Sequence, residues 1–263
     1  MESDDCAIAI KGVWKSYDGS ATFAVRDVTL SVVRREFLAL IGTSGSGKTT
    51  LLKLINRLIE PTRGSVAVDG KPVAVDEPAH LRRRIGYVFQ GVGLFPHMTV
   101  AENIAVTLRL LRWERSASDA RVSELLDLVR LPGDLAARLP NTLSGGQSQR
   151  IGVARALAAK PSIMLMDEPF GAVDPITRDA LTQDYRALHD ALGLTTVMVT
   201  HDVLEAVLLA DRIAVMEEGE LVESGSTQDL LANAKRPSVR ALMDMPRRQA
   251  ERVSALTACP AGL

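Results

Sequence analysis

The sequence predicts an α/β fold. Its core is a mainly parallel sheet, with an antiparallel β region toward the N-terminus and a helical subdomain inserted in the middle. Three observations carry that prediction. The apolar run Phe37-Leu38-Ala39-Leu40-Ile41 leads into Gly42-Thr43-Ser44-Gly45-Ser46-Gly47-Lys48-Thr49, and a helix-forming run over 50–58 follows. Two further apolar runs, 163–166 and 195–200, alternate with helical stretches, which implies parallel strands with ligands at their carboxyl ends. From Gly91 to about Leu143 the texture turns mostly helical.

In chain order, Ala7-Ile8-Ala9-Ile10 reads as a strand, with Trp14 and Tyr17 just beyond it. Residues 24–32 alternate and read as a second strand. Pro61 and Gly64 mark a turn, and 65–73 reads as a hairpin about Asp69-Gly70. Ile85-Gly86-Tyr87-Val88-Phe89 is a buried strand that ends at Gln90. Thr99 and Glu102 form a capping box that opens a helix toward Leu111. Val122, Leu125, Leu126 and Val129 recur at helical spacing. A helix from about Gln147 to Lys160 is stopped by Pro161. Residues 213–216 and 221–223 form a closing hairpin, and the stretch from Lys235 reads as a helical tail with a frayed end. The organisation expected is a core over 1–90 and 147–234, a helical subdomain over 91–146 and a tail over 235–263.

Composition narrows the class. The 263 residues are 46% hydrophobic and 24% charged, enough for a sizeable core. A net charge of −1 gives no sign of a nucleic-acid partner. Cys6 and Cys259 lie near opposite ends and form no metal or disulfide pattern, which fits a reducing compartment. The acidic Met1-Glu2-Ser3-Asp4-Asp5 is unlike the basic start of a signal peptide. Arg109, Arg112, Asp202, Glu205 and Asp211 interrupt the best apolar stretches, so no membrane span is expected.

The chemistry gathers after apolar strands. Glycines at 42, 45 and 47 let backbone N–H groups turn inward as an anion nest, at the positive end of the following helix. Lys48 can reach β- and γ-phosphates, and the Thr49 hydroxyl can bind Mg²⁺, with Thr50 beside it at the helix start. Asp167 and Glu168 are adjacent carboxylates at a buried strand end, a costly placement without a charged partner. Mg²⁺ held through Asp167, with Glu168 polarising an attacking water, answers that cost. Gln90 follows a strand in the same order and is a candidate ligand of Mg²⁺ and water. His201 follows another strand and is a candidate contact to the γ-phosphate. Leu143-Ser144-Gly145-Gly146-Gln147 places Ser144 as an N-cap with Gln147 three residues on, and its glycines expose backbone N–H groups. Both a second anion site and a well-capped helix satisfy that pattern.

With these motifs in this order, the chain resembles the nucleotide-binding subunits of ATP-binding cassette (ABC) transporters. The resemblance runs from about Ile10 to about Leu231. It rests on Gly42 to Thr49, Gln90, Leu143 to Gln147, 163–168, Gly171-Ala172-Val173-Asp174 and His201. Ser148 and Val173 depart mildly from the usual Gln and Leu. The resemblance implies a P-loop NTPase core hydrolysing ATP with Mg²⁺. It implies that Tyr17 stacks on adenine, whereas the residues alone allow a core aromatic equally. It implies a head-to-tail homodimer, in which Ser144 and Gly146 of one copy face the γ-phosphate held by the other. Asp174 would communicate across that interface, and dimer motion would drive a membrane partner.

A narrower similarity is to importer subunits for quaternary-amine osmoprotectants such as glycine betaine, choline, carnitine and proline betaine. It rests on 55–62, 85–90, 93–100 and 169–178. Importers of sulfonates, amino acids and polyamines share parts of these stretches. An exporter subunit and a non-transport ATPase are the remaining alternatives. The importer reading implies permease subunits in the membrane, a solute-binding protein beyond them, and a place on the cytoplasmic face of the membrane. The roughly thirty residues after the core are too few for the pair of regulatory CBS modules carried by many such subunits. Leu94, Phe95, Pro96 and Met98 fit either subdomain packing or a groove for a permease helix.

Overall fold

The structure, a computed structural model, describes residues 5–17, 22–171 and 173–257. Residues 1–4 of the acidic start, Ala172 and Cys259 lie outside it.

The chain opens with β1 (Cys6–Lys15) and β2 (Val25–Val33), paired antiparallel with Ile10 opposite Leu30. After β3 (Phe37–Ile41) and α1 (Lys48–Ile55), β4 (Arg63–Val68) returns to pair antiparallel with β1, Ile10 opposite Val66. Asp69 at φ 50° and Gly70 at φ 74° make the tight turn to β5 (Lys71–Pro72), the geometry that an Asp-Gly pair favours in hairpins. These form a sheet in the order β2-β1-β4-β5. The first strand is longer than its apolar start suggests. It continues through Trp14, which pairs with Arg63, because the partner strands supply a ladder on both sides.

The rest of the chain comprises α2 (Pro78–Arg84), β6 (Ile85–Val88), α3 (Val100–Leu110), α4 (Arg115–Leu128), α5 (Gly145–Leu157), β7 (Ile163–Asp167), α6 (Pro175–Leu192), β8 (Thr195–Val199), α7 (Val203–Leu209), β9 (Arg212–Glu217), β10 (Glu220–Ser226), α8 (Thr227–Asn233), α9 (Pro237–Met243) and α10 (Met245–Thr257). The second sheet runs β10-β9-β3-β8-β7-β6. Its pairs are parallel except the closing hairpin of β9 and β10. Every residue of β3, β6, β7 and β8 is buried, as expected of parallel strands covered on both faces.

Strand alternation divides the core into two layers. Phe37, Ala39 and Ile41, with Met164, Met166, Met198, Ile213 and Val215, face one cluster. Leu38 and Leu40, with Ile163, Leu165, Val197, Val199, Ala214 and Met216, face the other. The second cluster includes β1, β2, β4 and α1 side chains. The first continues without a break into α3, α4 and α5 through Ile104, Leu108, Leu125 and Ile151. Burying each such side chain stabilises the fold by about 1.5–3 kcal/mol. Polar ties add direction. Arg121 on α4 donates to the carbonyls of Leu157 and Ala158 at 2.9 and 3.3 Å, satisfying the end of α5. Arg130 and Arg150 both pair with Asp184 on α6, at 2.5 and 2.7 Å.

Other parts of the chain also differ from the sequence reading. β6 stops at Val88, and Phe89 is 46% exposed, because the chain turns there toward Gln90. Helix α5 begins at Gly145, immediately after its Ser144 cap, and ends at Leu157. Lys160 at φ 55° donates its N–H to the Leu157 carbonyl and closes the helix before Pro161 is reached. The tail is less free than its weak pattern implies: Val239 and Met243 of α9 are buried in the main core. Among the described residues no helix is long and apolar enough to cross a membrane.

A candidate nucleotide site at the ends of four strands

β3, β8, β7 and β6 are neighbours in the sheet, so the loops leaving their carboxyl ends are neighbours too. The first carries Gly42 to Thr49. Gly42 has φ 146° and Gly47 has φ 98°. A Cβ on Gly42 would lie 2.0 Å from the Met216 carbonyl oxygen, and one on Gly47 would lie 2.2 Å from that of Ala24. The loop passes between these backbones only as glycine. Among the described residues no side chain caps α1, so its first-turn N–H groups are open to an anion. Lys48 is buried, and its ammonium donates to the Gly42 carbonyl (2.9 Å), the Thr43 carbonyl (2.7 Å) and the Ser46 hydroxyl (3.2 Å). Burial lowers its pKa, and the charges of Glu168 and Asp167 pull it back up.

Asp167 ends β7 and accepts a hydrogen bond from the Thr49 hydroxyl at 2.8 Å. Burial raises its pKa, opposed by that hydrogen bond and by the positive charge of Lys53. Glu168 is held at φ 45° and donates its N–H to the Val199 carbonyl at the end of β8. Its carboxylate meets two other loops: Gln90 Nε2 donates to Oε2 at 2.9 Å, and His201 Nδ1 lies 3.3 Å from Oε1. The structure therefore brings Lys48, Thr49, Gln90, Asp167, Glu168 and His201 together.

The donors fit a magnesium nucleotide. The Thr49 hydroxyl and the Asp167 carboxylate are hard oxygen ligands 2.8 Å apart. Among the described residues no cluster of three His, Cys, Asp or Glu could hold a metal alone. An incomplete oxygen set suits a cation that keeps waters and takes phosphate oxygens. Gly45 at φ 79° has nothing among the described residues within 4 Å of where a Cβ would sit, so the loop is open there. Tyr17 is 62% exposed and so is no core aromatic. Its hydroxyl lies 3.1 Å from that of Thr50, which places the ring at the start of α1.

Ser144, Gly145, Gly146 and Gln147 lie elsewhere. Ser144 caps α5 by accepting from Gln147 N at 3.2 Å, and Gln147 Oε1 accepts from Ser144 N at 2.9 Å. Asp174 caps α6 through Thr177 N at 3.0 Å, and hydrogen bonding from the Thr177 side chain and then its backbone holds the Asp174 carboxyl below the usual range. A Cβ on Gly146 would lie 2.5 Å from Thr177 Cγ2, so α5 and α6 start side by side. Among the described residues no hydrogen bond or ion pair joins 144–147 to Gly42 through Thr49.

Some neighbours of the site carry no sequence signal of their own. Arg178 donates to the Val173 carbonyl (3.2 Å) and to Asp202 (3.4 Å), bridging the loops after β7 and β8. A cleft of about 470 Å³ has Gly42, Thr43, Ser44 and His201 on one side. Leu242, Met245, Pro246 and Gln249 of the tail form its other wall.

The family model described as ABC transporter matches residues 25–171. The chain belongs to the ABC transporter family. It is 49% identical over 226 residues to the choline transport ATP-binding protein OpuBA of Bacillus subtilis, covering 86% of this chain. It is 50% identical over 221 residues to the carnitine transport ATP-binding protein OpuCA of Listeria monocytogenes, covering 84%. The chain spans 59% and 55% of the length of those two relatives. Among solved structures it resembles the dimeric post-hydrolysis ATP-binding cassette MJ0796 bound to ADP and Pi. The TM-score is 0.76 at 34% identity, over 84% of this chain and 98% of that one.

Proposed function

We propose that this chain is the ATP-hydrolysing subunit of an ABC importer for a small quaternary-amine osmoprotectant, working as a head-to-tail dimer. The observation that carries the hydrolytic reading is the meeting of Gln90, Glu168 and His201, from three strand ends, beside Lys48 and Asp167. Glu168 accepts the proton of the attacking water. Gln90 orients that water and the metal, and His201 contacts the γ-phosphate. Lys48 turns from its loop carbonyls to the β- and γ-phosphates. Thr49 and Asp167 hold Mg²⁺, which when bound neutralises phosphate charge. Tyr17 stacks on the base.

Ser144, Gly145, Gly146 and Gln147 serve the loop of a second copy, and Asp174 stands beside them at that interface. The open N–H groups at the start of α5 support this arrangement. Closing and opening of the dimer is passed to permease subunits through the surface around Phe95, which is 41% exposed. A solute-binding protein acts beyond the permease, and the chain works on the cytoplasmic face of the membrane. The similarity to choline and carnitine transport proteins supports the substrate class.

Steady-state hydrolysis of Mg-ATP by the purified chain tests the first part. Glu168→Gln lowers it by about 10²–10⁴-fold, the usual worth of a positioned base, and sediments as a dimer only with ATP. Full activity in that variant overturns the assignment of Glu168. Uptake of labelled choline, carnitine, glycine betaine and sulfate, in cells carrying the parent or Lys48→Ala, tests the second. Loss of quaternary-amine uptake alone is the expected outcome, and loss of another solute instead reassigns the substrate.

A further inference from the structure

The segment after Gln90 is held in an unusual backbone state. Gly91, Val92 and Gly93 have φ of 72°, 64° and 58°, three left-handed residues in succession. The middle one is β-branched and buried, a strained combination that persists only where neighbours over-determine it. The neighbour here is α5. Arg155 Nη2 donates to the Val92 carbonyl at 2.6 Å and Nη1 to that of Gly93 at 2.8 Å. Its guanidinium also stands 6.0 Å from the Phe95 ring centroid. Three residues earlier, Gly152 leaves room for the loop, since a Cβ there would lie 2.7 Å from Val92 Cγ1. Farther along, the buried Asn103 fixes the segment through Phe95 N, at 2.7 Å, and the carbonyls of Phe95, Met98 and Thr99.

We propose that Arg155 is a positioning residue that clamps the left-handed segment after Gln90 and so ties the aim of Gln90 on Glu168 to the helix that begins at Ser144. Helix α5 carries Ser144 at its cap and Arg155 three turns later on one rigid element, about 16 Å apart at 1.5 Å per residue. A change felt at Ser144 therefore moves the carbonyl clamp, and the clamp moves the segment that starts at Gln90. The planar fork of arginine makes both bonds at once. A lysine reaches one carbonyl at a time. Burial lowers the pKa of Arg155, in keeping with a guanidinium held among carbonyls with no ion pair among the described residues.

The inference rests on hydrolysis aided by Gln90, and the test separates the two. Gln90→Ala, Arg155→Lys, Arg155→Met and Gly152→Ala are compared with the parent, with each clamp variant also built on Gln90→Ala. Readouts are kcat and KM for Mg-ATP, binding of a fluorescent ATP analogue, and Tm. The expected result is a loss of about 10–100-fold in kcat for Arg155→Met, the scale of a sub-ångström to ångström misplacement. Nucleotide binding stays within about twofold of the parent, and Arg155→Lys recovers part of the loss. On the Gln90→Ala background the clamp variants add no further loss, because the group they position is gone. If Arg155→Met does not fold, Arg155→Lys and Gly152→Ala carry the same comparison. Full multiplication of the two losses, or parental kcat in the folded clamp variants, overturns the clamp and leaves Gln90 in place. Parental kcat in Gln90→Ala overturns the role of Gln90, and the clamp with it.

Discussion

Two helices of this chain begin with the same local device and use it differently. Thr99 and Glu102 at the start of α3, like Ser144 and Gln147 at the start of α5, form complete capping boxes. At α3 the device is enclosed: Val100 is buried and its N–H donates to the Arg138 carbonyl. At α5 it is open: Ser144 and Gly145 are exposed, and among the described residues neither Gly145 N nor Gly146 N has a partner. A third start, that of α7, inverts the pattern. Asp202 caps Glu205 N at 3.2 Å, but the Glu205 side chain does not reach back to its cap. It turns inward, is buried, and accepts from the Thr200 hydroxyl. Capping chemistry sets where a helix starts; exposure of the N–H groups beside the cap decides whether that start can meet a ligand.

The largest expected effect breaks the open start. Ser144→Arg places bulk and charge on it and should lower hydrolysis at least about 100-fold, the scale lost when a preorganised donor at a charged transition state is removed. Mixing that variant with inactive Lys48→Ala should restore part of the rate. On the proposed head-to-tail arrangement, the mixed dimer would rebuild one whole site, with Lys48 from one copy and Ser144 from the other. A mixture no faster than its components would show that each site is completed within one chain.

A smaller effect concerns the inward start. Burial raises the Glu205 carboxyl from its ordinary 4.5 to about 7, opposed by its hydrogen bond from Thr200. The folded state thus favours the protonated acid. Its contribution is complete below the unfolded pKa and is lost as pH rises through about 7, a change on the order of 3 kcal/mol. Glu205→Gln keeps an acceptor for Thr200 and cannot ionise. Urea unfolding should find the variant close to the parent at pH 5 and more stable than the parent at pH 8. Equal pH dependence in both would remove Glu205 as the cause. Glu102, by contrast, is held below the usual range by backbone and side-chain hydrogen bonds from Thr99.

The smallest effect sharpens the original pair. Thr99→Ala and Ser144→Ala should each cost about 1 kcal/mol of stability in thermal unfolding. Only Ser144→Ala should lower hydrolysis beyond what its stability loss explains. Equal kinetic losses would mean that both boxes serve folding alone.

Much of this was legible in the residues because the signals are local. Capping boxes span four residues, and Gln90, Asp167, Glu168 and His201 each follow an apolar strand, so parallel pairing alone puts them at one end of the sheet. What was not legible is tertiary. Arg155 has no motif that announces its two carbonyl partners, which are 62 and 63 residues away. Helix α2 has seven residues, too few for a periodic pattern. The docking of α9 rests chiefly on Val239 and Met243, whose spacing is lost among the charges around them. Tyr17 could not be told from a core aromatic until its exposure was known.

The wall that α10 lends to the phosphate-loop cleft makes the tail a vantage point. Gln249 is exposed, lines that cleft and belongs to no binding motif. With Cys6 and Cys259 replaced, Gln249→Cys would accept a dye whose emission follows local polarity. Such a dye would report filling of the cleft in real time, turning an otherwise silent stretch of chain into an optical gauge of the catalytic cycle.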